Sequence, residues 1–225
     1  MEIFNINEIN KVSWRSKYGT KIIPMIFNII DLEENAKNGD GLSCYILGRS
    51  YDSGENGVKQ NFEKALYWYN KGKELDDPRC IYGVGACYYF GDGVKEDKNK
   101  AHELFVKAYQ SLLELIEQEK NIPNRQAFSI FCLGAYYYFG FGDIEKNNNI
   151  AFKLIYDSAM KGHIAGIYDL GANFYYNGVG TERDLEKSKF YLELASNYGL
   201  PIAIKKLQEY KTIYDNEINI NKKVK

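Results

Sequence analysis

The hydrophobic positions of the chain follow one frame that recurs four times. Residues 133–142 read Leu-Gly-Ala-Tyr-Tyr-Tyr-Phe-Gly-Phe-Gly, a polar stretch follows, and Ile150, Ala151 and Phe152 then reopen an apolar face. The same order appears at Leu47-Gly48, followed by Tyr51, Gly54, Gly57-Val58 and Lys64-Ala65, and at Val84-Gly85, followed by Tyr88, Gly91, Gly93-Val94 and Lys100-Ala101. It appears again at Leu170-Gly171, followed by Phe174, Asn177, Gly180 and Lys187-Ser188. The marker glycines Gly48, Gly85, Gly134 and Gly171 stand 37, 49 and 37 residues apart. Self-similarity at such a period marks a repeat architecture in which each unit buries its leftover apolar face on its neighbour.

Each unit reads as a helical hairpin. First helices are expected over about 41–52, 78–90, 124–139 and 164–176, and second helices over about 62–75, 98–120, 148–161 and 184–198. No run alternates with a period of two, so no sheet is expected. Glycine inside a helix costs about 1 kcal/mol against alanine, and its return at one helical position implies that two helices cross closely there. The small residues Ala65, Ala101, Ala151 and Ser188 are the expected counterparts on the second helices. The longer second unit places its extra residues mostly in 109–122, predicting a helix that projects beyond its neighbours.

The ends depart from the frame. Residues 1–20 show no period and read as a loosely ordered arm. Ile22, Met25, Ile26, Ile29 and Ile30 line one face of a predicted N-terminal cap helix over 22–38, with Gly39 as its stop. At the other end, the next marker position holds Gln208, so 201–214 reads as a C-terminal cap helix with Lys205, Lys206, Gln208 and Glu209 turned outward; 215–225 reads as a disordered tail. The solenoid thus spans 21–214, with repeats over about 40–76, 77–122, 123–162 and 163–199.

Composition narrows the function. Lys+Arg is 29 against 30 Asp+Glu, which gives no support to a polyanion partner, and nucleic acid is excluded as the expected ligand. The most apolar stretch, 22–30, is too short to span a bilayer and contains Pro24, and the start lacks a basic, apolar leader. No membrane association and a cytoplasmic location are expected. The four cysteines, Cys44, Cys80, Cys87 and Cys132, all fall on first helices without ligand spacing and read as buried reduced thiols. His102 and His163 have no nucleophile in a recognisable setting, and the glycine loops lack the Lys-Ser/Thr of a phosphate loop. No enzyme, metal or cofactor is expected.

The pattern Leu-Gly-x-x-Tyr-x-x-Gly-x-Gly-Val followed by Lys-Ala in a helix resembles the Sel-1-like repeat family, which is itself similar to tetratricopeptide-repeat solenoids. The match runs from Gly39 to about Leu207, with Asn177 and Ser188 departing from the usual glycine and alanine. The resemblance implies an all-α, right-handed superhelical solenoid of about four hairpins with N- and C-terminal cap helices, acting as an interaction scaffold or adaptor. The secreted, cysteine-rich branch ties its hairpins with disulfides; no second helix here carries a cysteine.

A protein partner, bound on the concave face by a monomeric chain, is therefore the expected ligand. Tyr45, Tyr82, Phe131 and Tyr168, each three residues before a marker glycine, form either an inner aromatic ladder or inter-repeat packing. Positions two before the markers (Ile46, Gly83, Cys132, Asp169) and two after (Ser50, Cys87, Tyr136, Asn173) vary, as a surface fitted to one partner would. The candidate concave-face residues are Arg49, Tyr82, Tyr136, Tyr168 and Asn173. A competing site is the extended helix around 112–120. A dedicated inhibitor or immunity-type protein occluding one toxin or enzyme is the alternative function.

Overall fold

The computed structural model describes residues 14–15 and 21–223, with side chains from 22 to 215. After a two-residue antiparallel ladder, β1 (Trp14–Arg15) on β2 (Lys21–Ile22), the described residues form an all-α solenoid. Its elements are α1 (Ile29–Lys37), α2 (Gly41–Ser53), α3 (Phe62–Glu74), α4 (Pro78–Phe90), α5 (Lys98–Gln118), α6 (Pro123–Phe139), α7 (Asn148–Met160), α8 (Ile164–Asp169), a π-helical turn at Leu170–Tyr175, α9 (Leu185–Asn197) and α10 (Pro201–Lys223). α2/α3, α4/α5 and α6/α7 pair as hairpins, and α8 with its π turn pairs with α9; first helices also touch across units, α2 on α4 and α4 on α6.

Short polar signals set the helix starts. Asn61, Asp97, Asn147 and Asp184 each cap a second helix, the side-chain oxygen accepting an amide of the first turn; this satisfies one of the donors a helix start leaves open. In the same step each capping residue's own N–H donates back to the first helix, to the carbonyls of Tyr51, Tyr88 and Tyr137 at 2.7–2.9 Å. Those acceptors lie three residues after their markers. In the fourth unit the acceptor is Tyr175, four after Gly171. The π turn supplies that one-residue offset. Ser188, where the other units have alanine, donates its hydroxyl to the Gly171 carbonyl at 2.7 Å and accepts from the Tyr214 hydroxyl of α10.

The close-crossing expectation is met, with a different neighbour from the one anticipated. Ala65, Ala101, Ala151 and Ser188 are fully buried, but at Gly48, Gly85 and Gly134 the nearest atoms belong to the residue one turn further on, while at Gly171 Leu192 shares the approach with the Ser188 carbonyl oxygen. A Cβ on Gly134 would stand 2.7 Å from Ile155 Cδ1, and one on Gly48 would stand 2.3 Å from the Tyr69 ring. Tyr69 is also pressed by Gly83 of the next unit, where a Cβ would stand 2.6 Å from the ring. One aromatic ring is thus clamped between two glycine helices.

Three expectations are corrected. The cap helix starts at Ile29 rather than at 22: Pro24 has no N–H and disfavours helix at Ile23, and Asn28 caps the start through Ile30 N–H at 2.9 Å. Residues 23–28 run as an irregular extended strap. α10 continues to Lys223, where a tail was expected to be disordered from 215; the arm over 1–20 lies outside the described residues apart from β1. The extra turns of α5 do not stand free, because α6 gains a turn as well and the two are tied together. Glu119, at the end of α5, is buried, accepting Arg79 Nη1 at 3.0 Å and the Ser129 hydroxyl at 2.8 Å. Arg79, itself buried, also holds Asp77, while Arg125 bridges Glu119 to Asp40. The alternative left open for the aromatic positions resolves to packing at three of the four: Tyr45, Tyr82 and Phe131 are buried, and Tyr168 alone is half-buried.

Candidate functional site: a cleft on the concave face

First helices touch across units and form the inner wall, and the curvature brings the first unit near the C-terminal cap helix. The α2–α3 loop reaches α10: Pro201 Cγ lies 3.6 Å from where a Cβ on Gly54 would stand. Between them opens a cleft of about 730 Å³ lined by both ends of the chain, including Arg49, Asp52, Asp92, Tyr168, Asp169 and Lys205. Its floor is Phe131, with the Arg49 guanidinium 5.4 Å above the ring centre.

Charge in the cleft is unevenly satisfied. Arg49 donates to Glu55 at 2.9 Å and lies 3.6 Å from Asp52, while its buried Nε meets no acceptor among the described residues. Asp169 accepts from Asn173 Nδ2 at 2.9 Å. Burial pushes the Asp169 carboxyl up to about 7, against the opposing pull of Arg49 and the Asn173 bond. Burial also raises Asp52 and Asp92. The wall therefore has carboxyls to spare for a cationic or hydrogen-bond-donating group.

Of the five expected site residues, Arg49 and Tyr168 line this cleft. Asn173 sits beside it, in a pocket of about 30 Å³ shared with Asp169 and Tyr138. Tyr82 and Tyr136 are core instead. Tyr136 is fully buried, its hydroxyl donating to the Phe105 carbonyl at 2.8 Å, and Tyr82 packs on Phe105, Tyr136 and Phe141. The aromatic density of the second and third units closes that stretch of the wall. Lys205, read as an outward cap residue, faces the cleft. Asp169 had a signal, since it stands at a position that varies among the units. Asp52 and Asp92 had none: they stand at the C-terminal ends of α2 and α4, and only the fold brings them into one cleft with Asp169.

The other chemistry-bearing side chains serve the fold. His163 caps α8, its Nδ1 accepting from Gly166 N–H at 3.1 Å, and stacks on Phe131 at 4.3 Å; burial holds its pKa well below the usual imidazole range. His102 lies on the surface 3.4 Å from Asp143. The four cysteines are buried and unbridged, and burial raises the thiols of Cys44 to about 11 and of Cys87 and Cys132 to about 12. Among the described residues no group of three potential ligands could hold a metal, and no helix is long and apolar enough to cross a membrane.

Known proteins share stretches of this sequence. Over 137 residues the chain is 28% identical to chitin synthase regulatory factor 1 of Schizosaccharomyces pombe (strain 972 / ATCC 24843), covering 60% of this chain and 27% of that protein. Among solved structures, a Sel1 repeat protein from Oxalobacter formigenes is 24% identical, with a TM-score of 0.36 over 80% of this chain and 48% of its own. A protective antigen of uropathogenic Escherichia coli displaying an SLR fold is 25% identical, with a TM-score of 0.36 over 80% and 43%. The chain thus spans less than half the length of each. The Sel1 repeat itself matches residues 41–77, 78–111, 128–163 and 164–199. Those four segments are the four hairpins described above, and the chain belongs to the Sel1 repeat family.

Proposed function

We propose that this chain is a non-catalytic adaptor, cytoplasmic and monomeric, that binds a protein partner in the concave cleft. Sel1 repeats are protein–protein interaction modules in general. The observation that carries the specific reading is the 730 Å³ cleft whose walls combine a half-buried tyrosine, a partly unsatisfied arginine and surplus carboxyls. Such a cleft suits a polypeptide segment bearing a hydrogen-bond donor or a cation. Its walls are helices already in place, so little ordering entropy opposes binding. Similarity to a regulatory factor fits an adaptor that acts by binding.

The test is capture of partners on the tagged chain, followed by titration of the purified partner against Tyr168→Ala and Lys205→Glu. Lys205→Glu should change stability little; Tyr168 also packs on the core beside the cleft, so binding by Tyr168→Ala is read on protein whose circular dichroism shows the parent fold. Binding should weaken at least tenfold for Tyr168→Ala, or about 1.4 kcal/mol. Parent-like binding by both variants would remove the cleft from the reading. A single wash-resistant partner whose own activity falls on binding would identify the dedicated inhibitor instead.

A further inference from the structure

The strap over residues 22–27 occupies the part of the concave face next to the open cleft. Ile22 is buried in the same cluster as Phe131 and Ala165; Pro24 is also buried, whereas Ile23 points away and is 51% exposed. Phe27 packs on Phe128 at 5.9 Å. Main-chain anchoring is sparse: Met25 N–H donates to the Gly162 carbonyl at 2.9 Å, and Phe27 N–H to Asn56 Oδ1 at 3.1 Å. The strap therefore bridges the first unit, through Asn56, to the junction of the third and fourth, through Gly162 and Phe128. The void left beneath it is about 10 Å³, room for one water at most. Arg49 and Glu55 line both this filled seat and the open cleft.

The seat is shaped for backbone. At Gly162 (φ +91°) a Cβ would stand 2.4 Å from the Ile23 carbonyl oxygen. At the corresponding turns Gly39 and Gly199, the same test meets nothing within 4 Å. The close approach belongs to the strap and not to the turn. The flanking walls, Phe128 and the Phe131–His163 stack, are apolar, with the imidazole kept neutral by burial.

We propose that the strap is an intramolecular peptide ligand, and that this seat also receives an extended apolar peptide from a partner, which displaces the strap. The partner segment would present alternate apolar side chains to the seat and two backbone N–H groups to the Gly162 carbonyl and Asn56. This rests on the concave-face reading and adds to it a peptide chemistry and a built-in competitor.

The probe is a labelled, solubility-tagged synthetic peptide of residues 20–30, with a scrambled version as control. Ile22→Asp in the full chain loosens the strap and leaves the seat intact; it should bind the peptide at least tenfold more tightly than the parent does. Adding Asn56→Gly should weaken that binding severalfold; Asn56 has φ +55°, so glycine removes the anchor without straining the turn. In the unaltered chain, saturating peptide should speed hydrogen exchange at the Met25 and Phe27 amides. Equal affinity for parent and Ile22→Asp, equal binding of the scrambled peptide, or Met25 and Phe27 amides that exchange only with global unfolding would each overturn the proposal. If Ile22→Asp does not fold, the exchange measurement decides alone. Tyr168 lies outside the strap's seat, so peptide exchange that works alongside a partner indifferent to Tyr168→Ala would sink the cleft and spare the strap.

Discussion

Replacing Gly48 by alanine ought to be favourable on helix propensity alone, by about 1 kcal/mol. The structure reverses the sign. The new Cβ would stand 2.3, 2.4 and 2.9 Å from three carbons of the Tyr69 ring, where ordinary contact is about 3.5–4.0 Å. The ring would have to retreat by more than about 1 Å. Gly83 of the next unit approaches the same edge of the ring, a Cβ there standing 2.6 Å from Cδ1, and Tyr69 is only 4% exposed, so the ring has little room to move. α2 and α3 must then separate. Overpacking of this kind costs about 1–3 kcal/mol, and a clamped ring belongs at the upper end. After the propensity gain the net loss is about 2 kcal/mol, or about 4–8 °C in Tm for a chain of this size. Gly134→Ala is the internal control: its nearest atoms are the tip of Ile155, Cδ1 at 2.7 Å and Cγ1 at 3.0 Å. A rotamer change can relieve that clash, so it should fall within about 1 kcal/mol of the parent, whereas the larger Gly134→Leu should lose about 1–3 kcal/mol. Urea and thermal melts followed by circular dichroism measure all three. Gly48→Ala melting at or above the parent temperature would refute the clamp.

Two further outcomes follow from the charges. Arg79→Ala removes the nearest cation from the buried Glu119, which keeps Ser129 and Arg125, and should cost about 1–3 kcal/mol, read as a lower urea midpoint; no measurable loss would mean the network does not hold α5 to α6. Asp169→Asn isolates a pH effect. The folded Asp169 pKa is raised to about 7, above its unfolded value, so the folded state binds the extra proton and this group lowers stability as pH rises from about 4 to about 7. The variant should match the parent near pH 4 and gain on it up to pH 7, then stay level. His163 acts oppositely, since its depressed pKa withdraws stability as pH falls below about 6.5, so the variant alone should show a clear acid loss there. A variant-minus-parent stability difference that does not change with pH would remove Asp169 as the cause.

Most of the solenoid was legible because its signals are local and repeated. Marker glycine, small residue and loop glycine return in register. What failed was whatever depends on curvature. The register placed Tyr136 on the inner face, but the aromatic crowd of Phe105, Tyr109 and Phe141 closes over it. At the N-terminus, a helical spacing of isoleucines across Pro24 concealed an extended strap whose acceptor, Gly162, lies more than a hundred residues away. The buried Arg79–Glu119 pair is likewise 40 residues apart in sequence. No periodicity encodes such partners.

The approach of Gly54 to Pro201 changes the statistical character of the array. In an open solenoid each unit feels only its neighbours, and the terminal units, having one neighbour each, fray first. Here the first unit also meets the C-terminal cap helix, and the strap ties it to the junction of the third and fourth units. The array then approximates a ring with a periodic boundary: a defect introduced in the fourth hairpin is felt by the first without passing through the second and third. Unfolding should therefore lack the gradual end-melting of a linear stack, and a consensus unit inserted between the second and third hairpins, although well packed on both sides, should part Gly54 from Pro201 and restore two free ends.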